Sequence, residues 1–185
     1  MINAFESMVR TNPDEVFFTF VSRDGSEHSY TYRQARLTAA AIARRLHGKG
    51  VRRGDCVSVD LPNCPEFVLL ALAAGYGAFA LVVLNNRLTA SEKLSRLLDL
   101  EGSGVRVACR IDEARAASLM SHVACDLAGT TRLERGKRII VSAERDAVSE
   151  AIHFAERESH LFNDEERALI LFTSGTTGKP KAVPA

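Results

Sequence analysis

The sequence is poor in the residues that nucleic-acid-binding proteins use. It contains no tryptophan, and aromatic residues make up only 6% of it, so we expect no stacking platform for single-stranded bases. Its 24 basic and 23 acidic residues leave a net charge of +1. A nucleic-acid-binding domain usually carries a clear excess of positive charge on one face. We therefore expect no nucleic acid partner.

Cysteine is also scarce, and its spacing argues against a zinc site. None of the four cysteines forms a Cys-x-x-Cys pair, and none has a histidine at ligand spacing. They are Cys56, Cys64, Cys109 and Cys125.

The N-terminus has no basic segment followed by an apolar one, so the sequence predicts no secretory signal. The default expectation is a reducing, cytoplasmic location.

The longest uncharged stretch is not typical of a membrane span. Residues 67–84 carry no charge and reach the minimum length for a spanning helix. Gly75 and Gly77 interrupt the stretch, however, and Pro65 precedes it as a first-turn proline precedes a helix. The pattern predicts a buried helix followed by a short buried strand.

The remaining composition is that of an ordinary globular domain, with 46% hydrophobic and 25% charged residues. Short apolar runs at residues 56–61, 79–84 and 105–109 predict strands, and helical segments lie between them. Apolar strands that alternate with helices are typical of a parallel sheet with both faces covered. The sequence therefore predicts an α/β fold with a mostly parallel sheet and helices on both faces.

Two helices have recognisable N-terminal signals. Thr31 suits the N-cap of one helix, and Thr89 that of another, with Glu92 at the capping-box position. Three leucines are expected to form the core stripe of the second helix: Leu94, Leu97 and Leu98. Residues 126–137 are polar and contain glycine and threonine, so we expect a loop there.

The most informative stretch lies near the end of the chain. Residues 168–172 form an apolar run without alternation, which predicts a strand buried on both faces. Residues 173–181 follow and consist only of hydroxyl residues, two glycines, two lysines and a proline. Gly175 and Gly178 allow the backbone to turn sharply, so that successive N–H groups can face one anion. This is the chemistry of a polyphosphate-binding loop.

Composition alone leaves an alternative open, because loops rich in glycine, serine and threonine are common linkers. The P-loop of kinases and GTPases does not fit. That motif has four residues between its first glycine and its Gly-Lys-[Ser/Thr] ending, whereas two residues separate Gly175 from Gly178 here, and Pro180 follows Lys179.

The order of residues 173–181, Thr-Ser-Gly-Thr-Thr-Gly-Lys-Pro-Lys, resembles the phosphate-binding signature of the adenylate-forming (AMP-binding) superfamily. Five further segments resemble the N-terminal portion of an acyl-CoA ligase in the family's order: residues 30–32, 50–55, 61–66, the stretch that begins at 74–75, and 84–89. The sequence of residues 82–93 resembles the corresponding segment of o-succinylbenzoate-CoA ligases. The resemblance covers nearly all of residues 1–185, as one N-terminal domain that stops just after the phosphate-binding loop.

The resemblance implies ATP-dependent activation of a small carboxylic acid. The carboxylate attacks the α-phosphate of ATP bound to Mg²⁺, and coenzyme A then displaces AMP to form a thioester. Carried over by position, the residues that bind the phosphates are Thr173, Ser174, Gly175, Thr176, Thr177, Gly178, Lys179 and Lys181. No residue of this chain receives a catalytic or metal-binding role from the resemblance.

Two residues depart from the family's pattern. Ala182 stands where the family nearly always has glycine, and Pro184 lies where another strand is expected.

The family takes the rest of its active site from later sequence, so we expect a fragment that is inactive alone. A non-catalytic phosphate- or nucleotide-binding module, or an interaction module, is the alternative. A strand at 168–172 without later neighbours has an exposed edge, which predicts a homodimer.

Overall fold

The computed structural model describes residues 2–128, 131–134, 137–140, 149–154, 156–157, 169–173 and 181–184. The helices are α1 (Ile2–Thr11), α2 (Tyr32–Gly48), α3 (Pro65–Gly77), α4 (Ala90–Gly102) and α5 (Glu113–Ala128). Residues 149–154 and 156–157 are also helical and are called α6. The strands are β1 (Val16–Val21), β2 (Glu27–Thr31), β3 (Cys56–Asp60), β4 (Ala80–Val83), β5 (Val107–Asp112), β6 (Thr131–Glu134), β7 (Lys137–Ile140), β8 (Leu169–Thr173) and β9 (Lys181–Pro184).

A five-stranded sheet with the order β5-β3-β4-β8-β9 organises the fold. Strands β5, β3, β4 and β8 are parallel, and β9 pairs antiparallel with β8. Strands β1 and β2 form a separate antiparallel hairpin, as do β6 and β7. The predicted α/β fold with a mostly parallel sheet is confirmed.

Both faces of the sheet are covered, because alternate strand residues point to opposite sides. On one face, Val57, Val59 and Leu81 pack in a core shared with α1, α2, α3 and α5. On the other face, Val82 and Ile170 pack against α4. The predicted helices on both faces are therefore confirmed.

Helix α2 packs closely against α3 because its contacting residues are small. Five of its alanines are buried: Ala35, Ala39, Ala40, Ala41 and Ala43. Thr31 accepts a hydrogen bond from the backbone N–H of Gln34, and the side chain of Gln34 accepts one from the backbone N–H of Thr31. This capping box confirms Thr31 as the N-cap.

Helix α3 confirms the interpretation of the longest uncharged stretch. Pro65 is its first residue, and the helix ends at Gly77, three residues before β4 begins. A side-chain carbon at Gly77 would lie 2.5 Å from the ring of Phe79, so the chain needs a glycine there. Within the described part of the chain, no helix is both long enough and apolar enough to cross a bilayer.

The predicted stripe of α4 is partly wrong. Leu97 is buried as expected, but Leu94 and Leu98 are 45% and 55% exposed, and Leu100 is buried instead. At 3.6 residues per turn, positions 93, 96, 97 and 100 share one side of the helix. That side faces the sheet. Lys93 and Arg96 therefore share the sheet-facing side with Leu97 and Leu100, whereas Leu94 and Leu98 point away from it.

The predicted loop at residues 126–137 is also wrong in part. Helix α5 continues to Ala128, and residues 131–134 form β6. The sequence of β6, Thr-Arg-Leu-Glu, has little strand character of its own. Its pairing with β7 supplies the hydrogen bonds that make it a strand.

The edge of the sheet lies elsewhere than predicted. Strand β8 forms as expected, but β9 pairs with its outer side, so β8 is not an edge strand. Leu171 of β8 is 41% exposed, which shows that burial on both faces is incomplete there. Pro184 ends β9, where an edge strand tolerates the missing N–H. The homodimer stays a prediction, but the exposed edge of β8 no longer supports it.

Replacing Leu97 with alanine tests the orientation of α4. Leu97→Ala is expected to lower the free energy of unfolding by about 2–5 kcal/mol, because it leaves a cavity between α4 and the sheet. Leu98→Ala is the matched control and should change that free energy by less than about 0.5 kcal/mol. Urea denaturation followed by circular dichroism measures both values. Equal losses would contradict the orientation of α4.

Candidate functional site

The carboxyl ends of four parallel strands meet at one edge of the sheet. Strand β3 ends there at Asp60, β4 at Val83, β5 at Asp112 and β8 at Thr173. Ligands of open parallel sheets bind outside this edge, because the loops that follow the strands converge there. We refer to it as the carboxyl edge.

The predicted phosphate-binding loop leaves the sheet at this edge and returns to it. Thr173 at the end of β8 pairs with Lys181 at the start of β9. The two ends of the loop are therefore held side by side by the antiparallel ladder. The other predicted phosphate-binding residues lie outside the described residues: Ser174, Gly175, Thr176, Thr177, Gly178 and Lys179.

Helix α4 begins beside the carboxyl edge and has a well-defined start. The backbone N–H and the hydroxyl of Thr89 donate to the Glu92 carboxylate at 2.8 and 2.7 Å, and Thr89 Oγ1 accepts from the Glu92 N–H at 3.3 Å. The predicted capping box is confirmed. The hydrogen bonds from Thr89 also hold the pKa of Glu92 below its usual value, because they stabilise the charged carboxylate.

An ion pair ties α4 to the carboxyl edge. Lys93 Nζ lies 2.7 Å from Asp60 Oδ2 and 3.5 Å from the carbonyl oxygen of Asn86. The ammonium group thus joins the end of β3 to the turn before α4. Because Asp60 already neutralises it, Lys93 has little charge left to offer a ligand.

A second cation of α4 contacts β8 directly. The guanidinium carbon of Arg96 lies 5.2 Å from the ring centroid of Phe172, an arrangement typical of a cation–π interaction. Phe172 is the residue immediately before Thr173. Arg96 is therefore held beside the point where the phosphate-binding loop begins.

Sequence reasoning missed Asp60, Lys93 and Arg96. The sequence pattern puts Asp60 in an apolar strand and gives the two cations no role. A signal was present, since Lys93 and Arg96 share one side of α4 with Leu97. Cations on the apolar side of a helix are costly unless they meet a partner, so their positions could have indicated contacts at the carboxyl edge.

The carboxyl edge shows no nucleophile or metal cluster among the described residues. Burial raises the pKa of the Cys64 thiol to about 11, so this thiol stays protonated at neutral pH. In the described part of the chain, no group of three or more His, Cys, Asp or Glu residues could hold a metal ion.

A cleft of about 860 Å³ lies away from the carboxyl edge, between α1, α2 and α6. Glu6 in its wall accepts hydrogen bonds from Arg36 Nε at 2.9 Å and from the Tyr76 hydroxyl. Burial and the Glu6 hydrogen bond raise the pKa of Tyr76. These polar groups satisfy one another, so we do not place the predicted site there.

Comparison with known proteins identifies a family that matches nearly the whole chain. The profile of a family described as "AMP-binding enzyme" matches residues 5–185. The chain is 26% identical to 4-coumarate–CoA ligase 1 of Petroselinum crispum over 163 residues, which are 84% of this chain and 27% of that enzyme. It is 28% identical to 2-succinylbenzoate–CoA ligase of Oceanobacillus iheyensis over 172 residues, 93% of this chain and 31% of that enzyme. The chain thus spans about three-tenths of the length of these relatives.

Two solved structures with low sequence identity illustrate the shared fold. The fatty acyl-adenylate ligase of L. pneumophila, solved with acyl adenylate and pyrophosphate, superposes with a TM-score of 0.62 at 17% identity. That superposition covers 99% of this chain and 29% of the ligase. The NpsA N-terminal subdomain of Klebsiella oxytoca gives a TM-score of 0.63 at 22% identity, covering 100% of this chain and 39% of that one.

Replacing Glu92 with glutamine tests the capping box through pH. The pKa of Glu92 is lowered in the folded chain, so its carboxylate stabilises the fold above the ordinary value of 4.5. That contribution is lost as the pH falls through the lowered folded-state pKa. The wild type should therefore be more stable than Glu92→Gln at neutral pH, and the difference should shrink below pH 4.5.

Thermal unfolding across the pH range measures this difference. Glu101→Gln, at the other end of α4, is the matched control and should not destabilise the fold at neutral pH, because a carboxylate is unfavourable near a helix C-terminus. A difference between wild type and Glu92→Gln that stays constant with pH would contradict the assignment.

Proposed function

Because the chain belongs to the AMP-binding enzyme family, we propose that it supplies the polyphosphate-binding loop of an ATP-dependent ligase, which joins a small carboxylic acid to coenzyme A. One observation carries the proposal. Thr173 pairs with Lys181, so the two ends of the predicted loop lie side by side at the carboxyl edge, which supports a ligand-binding loop over a linker.

The chemistry of the loop fits a polyphosphate. The hydroxyls of Thr173, Ser174, Thr176 and Thr177 and the backbone N–H groups around Gly175 and Gly178 offer donors to phosphate oxygens, while Lys179 and Lys181 offer positive charge. In this proposal the loop binds the β- and γ-phosphates of ATP and neutralises them. Mg²⁺ bound to the nucleotide would supply further positive charge at the phosphates.

The complete reaction needs more than this loop. When ATP and coenzyme A are bound, they supply the leaving pyrophosphate and the thiol of the two half-reactions. We propose that the pockets for adenine, ribose and the carboxylic acid come from sequence outside residues 1–185, since the chain spans 27% and 31% of the two relatives described above. Residues 1–185 would then bind phosphate without completing the reaction.

The charge of Lys181 tests the proposed loop. Millimolar ATP or pyrophosphate is expected to raise the melting temperature of the chain by about 2–4 °C, as ligands that bind the folded state do. Lys181→Ala should weaken binding by about tenfold, because one charge-assisted contact to phosphate is lost. Differential scanning fluorimetry and isothermal titration calorimetry measure the two effects.

Lys49→Ala is the matched control, because this exposed lysine follows α2 and is not part of the loop. It should leave the binding of ATP unchanged. No shift in melting temperature with either ligand, or equal binding by wild type and Lys181→Ala, would contradict the proposed function.

A second test concerns the reaction itself. Residues 1–185 are expected to show no ATP–pyrophosphate exchange with 4-coumarate or 2-succinylbenzoate, the acids in the names of the two relatives. A full-length relative assayed in parallel is the positive control. Exchange by residues 1–185 that disappears in Lys181→Ala would show that the chain carries a complete site.

A further inference from the structure

We propose that Arg96 of α4 is a second anion-binding group of this site, and that its guanidinium binds the same polyphosphate as the loop. The inference rests on the proposed function of the loop and adds to it a residue from a different element. It concerns phosphate groups in general, whether they belong to a nucleotide or to an inorganic polyphosphate.

The position of Arg96 is set by the residue before the loop. Its guanidinium carbon lies 5.2 Å from the centre of the Phe172 ring. Phe172 packs against the core cluster that contains Leu97 and Leu100 of α4, and this packing holds its ring in place. The cation is therefore held one residue before Thr173, where the loop leaves the sheet.

The charge of Arg96 is available to a ligand, in contrast to that of Lys93. Lys93 is neutralised by Asp60 at 2.7 Å. In the described part of the chain, Arg96 makes no salt bridge and contacts the face of an aromatic ring instead. The carboxylate of Glu92, four residues earlier, attracts Arg96 through its charge, but its hydrogen bonds come from Thr89. A ring face attracts the cation without using its N–H donors, which remain free for phosphate oxygens.

Helix α4 also provides a rigid support for this cation. Its N-terminus is fixed by the capping box at Thr89, its second turn by the Lys93–Asp60 pair, and its apolar side by Leu97 and Leu100. A binding group on a rigid helix loses less conformational freedom on binding than one on a loop. Arg96 therefore complements Lys179 and Lys181, which belong to the loop itself.

A purely structural role for Arg96 makes a different prediction. If the side chain only covers Phe172, methionine should replace it, because the apolar part of a long side chain supplies that packing. Arg96→Met keeps the packing and removes the charge. Arg96→Lys keeps the charge but loses the planar guanidinium that matches phosphate oxygens.

The experiment titrates inorganic tripolyphosphate into the 185-residue chain by isothermal titration calorimetry. Arg96→Met is expected to bind about tenfold more weakly than the wild type. Arg96→Lys should recover to within about threefold of the wild type. Lys49→Met is the matched control, since it removes an exposed cation that follows α2 and lies outside the site, and it should bind within about twofold.

The outcomes separate this inference from the proposed function. Equal binding by Arg96→Met and wild type, with weaker binding by Lys181→Ala, would overturn the role of Arg96 and leave the loop in place. The reverse pattern would support Arg96 and contradict the loop. Absence of tripolyphosphate binding by the wild type would overturn both.

A measurement on the wild type covers the case in which Arg96→Met does not fold. The Nε–H resonance of Arg96, assigned by its absence from the spectrum of Arg96→Lys, should shift when tripolyphosphate is added. A resonance that stays in place while the loop amides shift would overturn the inference.

Discussion

The candidate site depends on one long-range interaction, the parallel pairing of β8 with β4. Leu169, Ile170 and Leu171 pair with Leu81, Val82 and Val83, which lie more than eighty residues earlier in the chain. Parallel strands of one sheet end at the same edge, so this pairing places the end of β8 beside the end of β4, at the edge where β3 and β5 also end. Without it, the loop would be a polar segment with no fixed surroundings.

Around this pairing, α4 sets the surroundings of the loop. Its capping box fixes where the helix starts, and its buried leucines fix which side faces the sheet. Lys93 and Arg96 then follow from helical geometry, because they lie on that same side. One cation is neutralised by the carboxylate that ends β3, and the other rests on the ring that precedes the loop. Two residues three positions apart therefore have different electrostatic roles.

The opposite face of the sheet has a structural role. Small residues of α2 allow α3 to pack closely, and the buried Glu6–Arg36–Tyr76 group joins α1, α2 and α3. Its polar atoms satisfy one another, which is the condition under which buried charges are tolerated. The cleft beside this group is large, but the two ends of the predicted loop, Thr173 and Lys181, lie at the carboxyl edge. The buried polar group therefore lies apart from the proposed site.

The sequence alone determined the features that depend on neighbouring residues. Both capping boxes and the first-turn proline of α3 act through local hydrogen bonds or backbone torsions, so Thr31, Thr89 and Pro65 could be assigned from the sequence. The order of residues 173–181 likewise predicted a phosphate-binding loop. Only the tertiary structure decided which leucines of α4 are buried, that β9 covers β8, and that Arg96 meets Phe172. Each of these depends on contacts between segments far apart in the chain, and a local pattern contains no information about which distant surface it will meet.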